Sequence, residues 1–326
     1  MTHAVRIHSN GGPEVLQWEK VEVPEPEAGD AIVRQVAAGL NFIDVYFRTG
    51  LYKVPVFPSV IGNEGAGVVE AVGDGVTEVE VGDRVAYCMS LGSYTQRRLI
   101  PAKQLVKIPK DISEQQAAAA MLKGCTVQYL IRQTYPVQKG ETVLFHAAAG
   151  GCGLIACQWL KHLGVRVIGT VGTAEKAELA RAHGCAHPIV YTEDNFVDRV
   201  KELTDGRGVP VVYDSVGKDT FNDSLECLQP RGLMVSFGNA SGAVEPFAPA
   251  ILAAKGSLFL TRPTLATYTA TRADLEKTST DLFGVLSSGA VTVEVNQTYP
   301  LENAAQAHRD LEARKTTGST ILLTGV

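Results

Sequence analysis

The sequence predicts an α/β fold in two parts: a mostly β lobe of about 120 residues, then a doubly wound parallel sheet. Three observations predict it. A length of 326 residues exceeds one ordinary core at about 150 residues per domain. Strand and turn signals dominate the first third, and from Thr142 onward apolar strand-like runs alternate with helical ones. The first of those runs, TVLFHA, turns through glycines straight into a helix.

In the first part, Ala31–Val36 (AIVRQV), Gly65–Val72 (GAGVVEAV) and Asp83–Ala86 (DRVA) read as strands, punctuated by PEPEAGD and GDGVTEVEVGD. Greek-key connections are expected. The regime changes at Ser113, an N-cap for the helix opened by SEQQAAAAML. In the second part TVLFHA, RVIGTV, HPIVY, VPVVYDSV, GLMVSFGN and SLFLTRP are strands, about six in all. GLIACQWLKHLG, TAEKAELARAHG, NFVDRVKELTDG and DTFNDSLECLQP are the helices between them, because parallel strands need a covering crossover. The tail holds a helix over residues 270–289, the strand VEVNQTYP, a helix over 302–315 and the run STILLTGV, which could return to the first lobe. Two lobes leave a cleft.

Composition narrows the function. Hydrophobic residues make up 45% and charged residues 20%, the profile of a globular enzyme rather than a disordered chain. A formal charge of −5 offers no basic field, so nucleic acid and anionic membrane are poor partners and a small molecule is the better one. The N-terminal MTHAVRIHSNGGPEV lacks the features of an export signal, and no apolar run approaches the roughly 18 residues of a membrane span. Six cysteines with no CxxC pair read as reduced thiols, and the expected location is the cytoplasm.

The chemistry is carried by Thr142–Gly153 (TVLFHAAAGGCG). Ala149, Gly150, Gly151, Cys152 and Gly153 would let the backbone approach a pyrophosphate at a helix N-terminus. The spacing Ala148-x-Gly150-x-x-Gly153 departs from GxGxxG in its first residue, and its context of strand before and helix after strengthens it. After the next strand, an Asp or Glu would hold a ribose 2′-hydroxyl. Gly172, Thr173 and Lys176 stand there instead, suiting a 2′-phosphate and therefore NADPH. The alternative is a solvated Lys176 with Glu175 turned to the ribose.

These segments, with IGNEGAGVVEAVGDGVTEVEVGDRV, YDSVG and FGNASG, resemble the quinone oxidoreductase branch of the medium-chain dehydrogenase/reductase superfamily over essentially the whole chain. The likeness is greatest to bacterial NADPH:quinone reductases related to ζ-crystallin. It implies a GroES-like catalytic domain at residues 1–122, completed by 264–326, around a Rossmann NADPH-binding domain at 123–263, and usually a homodimer. Zinc-dependent members carry Cys and His ligands where this chain resembles them with Asn41 and Asn63. An amide is a feeble zinc ligand, and the stretch between Val85 and Tyr94, with Cys88 its one cysteine, is too short for a four-cysteine zinc lobe, so no metal is expected.

The resemblance puts Asn41, Tyr46 and Tyr52 in the cleft near the nicotinamide. Thr126 would contact the nicotinamide side or cap a helix, and Tyr191 would lie by the adenosine phosphate or simply end a strand. Ser215, Gly217, Phe237, Gly238 and Asn239 follow strands at the edge where such sheets bind ligands. Arg262 either joins them or is solvated, while His146 reads as a core histidine rather than a base.

The expected activity is NADPH-dependent reduction of a quinone without metal. An enone or alkenal reductase is the alternative on the same scaffold, and a non-enzymatic crystallin-like or RNA-binding protein is the alternative of another class. Dimerisation is expected through the late strands SFGNA and SLFLTRP.

Overall fold

A computed structural model describes residues 2–326, which divide into two compact units. One comprises residues 2–125, 269–289 and 293–326; the other comprises 126–268 and 290–292. The first unit opens with β1 (Thr2–Ile7), β2 (Gln17–Val21), β3 (Asp30–Gly39), α1 (Phe42–Thr49) and β4 (Ser59–Val60). It continues with β5 (Glu64–Val72), β6 (Arg84–Cys88), β7 (Arg97–Pro101), β8 (Val106–Lys107) and α2 (Glu114–Tyr129). Period-two alternation gives these strands a buried face: Ala31 and Val33, and Val85 and Tyr87, share a core with Val69 and Ile100. Each buried valine or isoleucine among them contributes roughly 1.5–3 kcal/mol.

Ser113 caps α2 as expected: its Oγ accepts from Gln116 N at 3.2 Å, and Gln116 Oε1 accepts from Ser113 N at 3.1 Å. The composition places the change of architecture at Ser113, whereas α2 stays with the first unit through Cys125. Leu122 N donates to Glu64, Ser319 Oγ donates to Ala119 O, and Gly124 backs onto Leu282. Those contacts, absent from any local signal, hold the helix there.

The second unit carries β9 (Thr142–Phe145), α3 (Gly151–His162), β10 (Arg166–Val171), α4 (Ala174–Ala182), β11 (His187–Val190) and α5 (Phe196–Leu203). Then come β12 (Val209–Asp214), α6 (Phe221–Glu226), β13 (Leu228–Ser236), α7 (Ala250–Ala254), β14 (Phe259–Thr261) and α8 (Leu265–Tyr268). The six strands form one parallel sheet in the order β11-β10-β9-β12-β13-β14. The order reverses between β9 and β12, the point at which doubly wound sheets bind ligands beyond their carboxyl ends.

The chain then returns to the first unit with α9 (Arg272–Ser287), β15 (Val295–Pro300), α10 (Ala304–Glu312) and β16 (Ser319–Leu323). β16 pairs antiparallel with β3 and parallel with β15, completing a seven-stranded sheet; β1, β2 and β4 form a separate three-stranded one. Among the described residues, no helix is long and apolar enough to cross a membrane.

Candidate functional site

In the second unit, β9 ends at Phe145 and α3 begins at Gly151 with Gly150 as its N-cap. No side chain caps this end, so its first N–H groups point outward from a helix whose dipole favours an anion. Gly153 is required by close approach: a Cβ there would lie 2.6 Å from Ala148 C and against Ala147 O, forcing α3 off the strand. His146 is completely buried and bonded to Thr170 Oγ1 (2.8 Å) and Ser224 Oγ (2.9 Å), with burial pushing its pKa down. It is a satisfied core histidine.

The other strand ends of the same sheet edge carry a further group of the predicted residues. After β10, Thr173 caps α4, its Oγ1 accepting from Lys176 N at 3.3 Å. Glu175 is exposed and its carboxyl is held below the ordinary range, first by a hydrogen bond from Thr173. Gly172 lies under Tyr191, which follows β11: a Cβ at Gly172 would sit 3.1 Å from Tyr191 Oη. Ser215 and Gly217 follow β12, where buried Asp214 accepts from Val216 N (2.7 Å), Gly217 N (3.1 Å) and Thr220 Oγ1 (2.8 Å). Phe237, Gly238 and Asn239 follow β13, and the Phe237 ring lies 5.8 Å from that of Phe145. Arg262, after β14, is exposed but not merely solvated: its Nη1 donates to Ser236 O at 3.0 Å, and Asn239 Oδ1 accepts from its Nη2 at 3.2 Å when the amide is turned to satisfy both ends. Thr126 lies buried inside α2, which excludes a capping role.

Asn41, Tyr46 and Tyr52 form a second group, in the first unit. Asn41 is the N-cap of α1, and Asp44 Oδ2 accepts from its backbone N at 3.0 Å. Its Nδ2 donates to Glu64 Oε2 at 2.8 Å. Glu64, fully buried, also accepts from Leu122 N (2.6 Å) and Lys123 Nζ (3.2 Å), so an amide and a cation share one carboxylate. Asn63 Nδ2 donates to Asp44 Oδ1 at 2.9 Å. Tyr46 is buried with its ring edge-on to Tyr52 at 5.3 Å, and Phe47 meets Tyr52 at 5.7 Å. Asp44, Glu64, Lys123 and Asp214 are not among the predicted residues. The Asn41–Asp44 spacing is a helix-start signal that points to Asp44, whereas nothing local marks the other three.

Residues 151–279 match the zinc-binding dehydrogenase family, and residues 27–110 match the alcohol dehydrogenase GroES-like domain. A quinone oxidoreductase from Pseudomonas aeruginosa is 54% identical over 324 residues, 99% of this chain and 100% of that one. The crystal structure of a Pseudomonas syringae quinone oxidoreductase superposes with a TM-score of 0.98 at 52% identity, covering 99% of this chain and 100% of the other. That of the Escherichia coli quinone oxidoreductase complexed with NADPH gives 0.97 at 50% identity, covering 98% and 99%. The second unit is thus a Rossmann-type domain and the first a GroES-like one.

Zinc, which names the first matched family, does not fit the residues present. Asn41 and Asn63 offer amides whose nitrogens are turned to carboxylates, and Glu64 is already balanced by Lys123. Cys125, hydrogen-bonded to Cys88 and buried, has its thiol held well above the ordinary range and far from the thiolate that binds zinc. Full-length identity of half or more, the parallel sheet with its glycine corner and the amide pair in the GroES-like unit lead to one assignment: the chain belongs to the quinone oxidoreductase family of the medium-chain dehydrogenases/reductases.

Proposed function

We propose that this chain is an NADPH-dependent quinone reductase that works without a metal ion. The observation that carries the reading is the sheet edge where α3 starts without a side-chain cap, Gly153 presses on the strand, and Thr173 and Lys176 replace an acid after β10. A Cβ-free cradle of this kind fits a dinucleotide pyrophosphate. Ala149, Gly150, Gly151, Cys152 and Gly153 hold that pyrophosphate; Thr173 and Lys176 hold the 2′-phosphate, with Gly172 and Tyr191 beside the adenosine. Ser215, Phe237, Gly238, Asn239 and Arg262 line the strand ends toward the rest of the dinucleotide, and Thr126 serves the nicotinamide side. NADPH, when bound, supplies the reducing equivalents. Asn41 orients a ribose or substrate oxygen, and the Tyr46–Tyr52 pair stacks on or donates to a quinone carbonyl. The free cysteines suit a reducing cytoplasm.

Air-free stopped-flow oxidation of NADPH by a small quinone tests the reading, with an enone as the competing acceptor. Turnover of the enone and of no quinone would overturn the substrate class. Lys176→Ala is expected to weaken NADPH binding about tenfold while leaving NADH unchanged, because one charge-assisted contact to phosphate is lost. Equal affinity of the unmodified protein for NADH and NADPH would sink the cofactor assignment.

The edge strand β14 exposes Phe259 by 62%, and we assign to it the contact of a homodimer. Phe259→Glu is expected to give monomers by light scattering where the unmodified protein gives dimers. A monomeric unmodified protein would remove the assignment.

A further inference from the structure

The GroES-like unit contains a run of buried hydrogen bonds whose direction can be deduced. Arg48, 1% exposed, donates from Nη1 and Nη2 to the two carboxylate oxygens of Glu312 at 2.8 Å each. Its Nη1 also lies 3.0 Å from His308 Nδ1. Guanidinium nitrogens only donate, so Nδ1 of His308 is the acceptor. Burial and then the Arg48 charge push the His308 pKa down to about 3, so the ring is neutral and its one proton sits on Nε2. Nε2 lies 3.1 Å from Tyr94 Oη, which therefore accepts, and the Tyr94 hydroxyl donates to Asp44 Oδ2 at 3.0 Å. Asn41 N and Asn63 Nδ2 donate to the same carboxylate.

We propose that Tyr94 and His308 are positioning residues of quinone reduction: with Arg48 they form a one-way hydrogen-bond chain that keeps Asp44 an acceptor and so sets the start of α1, which presents Asn41 and Tyr46. The proposal rests on the reading above that those two residues meet the ligand. The fold supplies the chain from three distant places, since α10 provides His308 and Glu312, the segment before β7 provides Tyr94, and α1 provides Arg48 and Asp44. Tyr94 also packs in the hydrophobic core of this unit, whereas Arg48, His308 and Asp44 are buried polar groups outside that cluster. Mutual burial of so many polar groups is tolerated only when each is satisfied, which this order of donors achieves.

The chain has a weak point in acid. Around Asp44 stand Glu64 and Tyr94, with His308 behind Tyr94, Arg48 behind His308 and Lys123 behind Glu64. Burial raises the Asp44 pKa to about 6, against the lowering effect of bonds from Asn63, Asn41 and Tyr94, while the Glu64 charge adds to the rise. Once protonated, Asp44 faces donors with a donor of its own, and one partner must let go. Removing the Tyr94 hydroxyl takes away one of the bonds that favour the carboxylate, so protonation then occurs at higher pH.

The test compares the unmodified enzyme with Tyr94→Phe in quinone kcat/KM between about pH 5 and about pH 9. Two readouts need no turnover: the 13C shift of the Asp44 carboxyl and the 15N shifts of His308. The unmodified enzyme should lose activity below about pH 6 in step with the Asp44 signal. Tyr94→Phe should move both toward about pH 7 and lower kcat about tenfold at neutral pH. His308→Gln, which can still accept from Arg48 and donate to Tyr94, should keep most activity, and His308→Leu should not. An Asp44 titration unmoved by Tyr94→Phe, or a proton found on Nδ1 of His308, overturns the proposal. If the unmodified protein reduces no quinone, the functional reading fails, and the two NMR readouts still decide whether the chain holds Asp44.

Discussion

Lys123→Met will lower the unfolding free energy by about 3 kcal/mol or more, because it strands a buried carboxylate. Glu64 is fully buried and Lys123 is 7% exposed in its side chain, so solvent cannot replace the ammonium 3.2 Å from Oε2. Asn41 Nδ2 and Leu122 N would remain on Glu64, but neutral donors do not balance a full charge. Adding Glu64→Gln to Lys123→Met should recover part of the loss. The glutamine oxygen still accepts from Leu122 N, and Asn41 can turn its amide to accept from the new NH2. Urea unfolding of the single and double variants measures this. A Lys123→Met protein as stable as the unmodified one would show that the pair carries no net charge burden.

Gly153→Val will raise the NADPH dissociation constant by about tenfold to a hundredfold. A Cβ at this position meets Ala147 O and Ala148 C, both backbone, so nothing flexible can yield and the start of α3 must move. Overpacking of this kind costs about 1–3 kcal/mol, and each 1.4 kcal/mol is tenfold in binding. Gly150→Ala is the internal control. Its Cβ would have one near neighbour, Ala147 O at 3.2 Å, and the loss should be several times smaller. Fluorescence titration with NADPH distinguishes them. Equal affinity of Gly153→Val and the unmodified protein would remove the corner from the binding site.

Much of the second unit was legible because its signals are local. Each strand and helix spans a dozen residues or fewer, and apolar runs such as TVLFHA and RVIGTV declare burial on both faces without reference to distant residues. The glycine corner is legible for the same reason, since the residues that turn, approach and start the helix are consecutive. Arg262 was harder. Its partners, Ser236 and Asn239, lie more than twenty residues away, and only the β13–β14 pairing brings them close.

The order of elements, the parallel sheet, the corner for a dinucleotide and the small residues Gly172, Thr173 and Ala174 directly after β10 are properties of neighbouring residues, so the chain's text alone decides them. Tertiary structure alone decides that α2 stays with the GroES-like unit through Cys125, that Lys123 faces Glu64, and that His308 meets Tyr94 across 214 positions of chain. The physical reason is that a buried polar group is defined by what satisfies it. A lone histidine, tyrosine or lysine in a sequence looks the same whether it is solvated or paired, and only the fold supplies the partner.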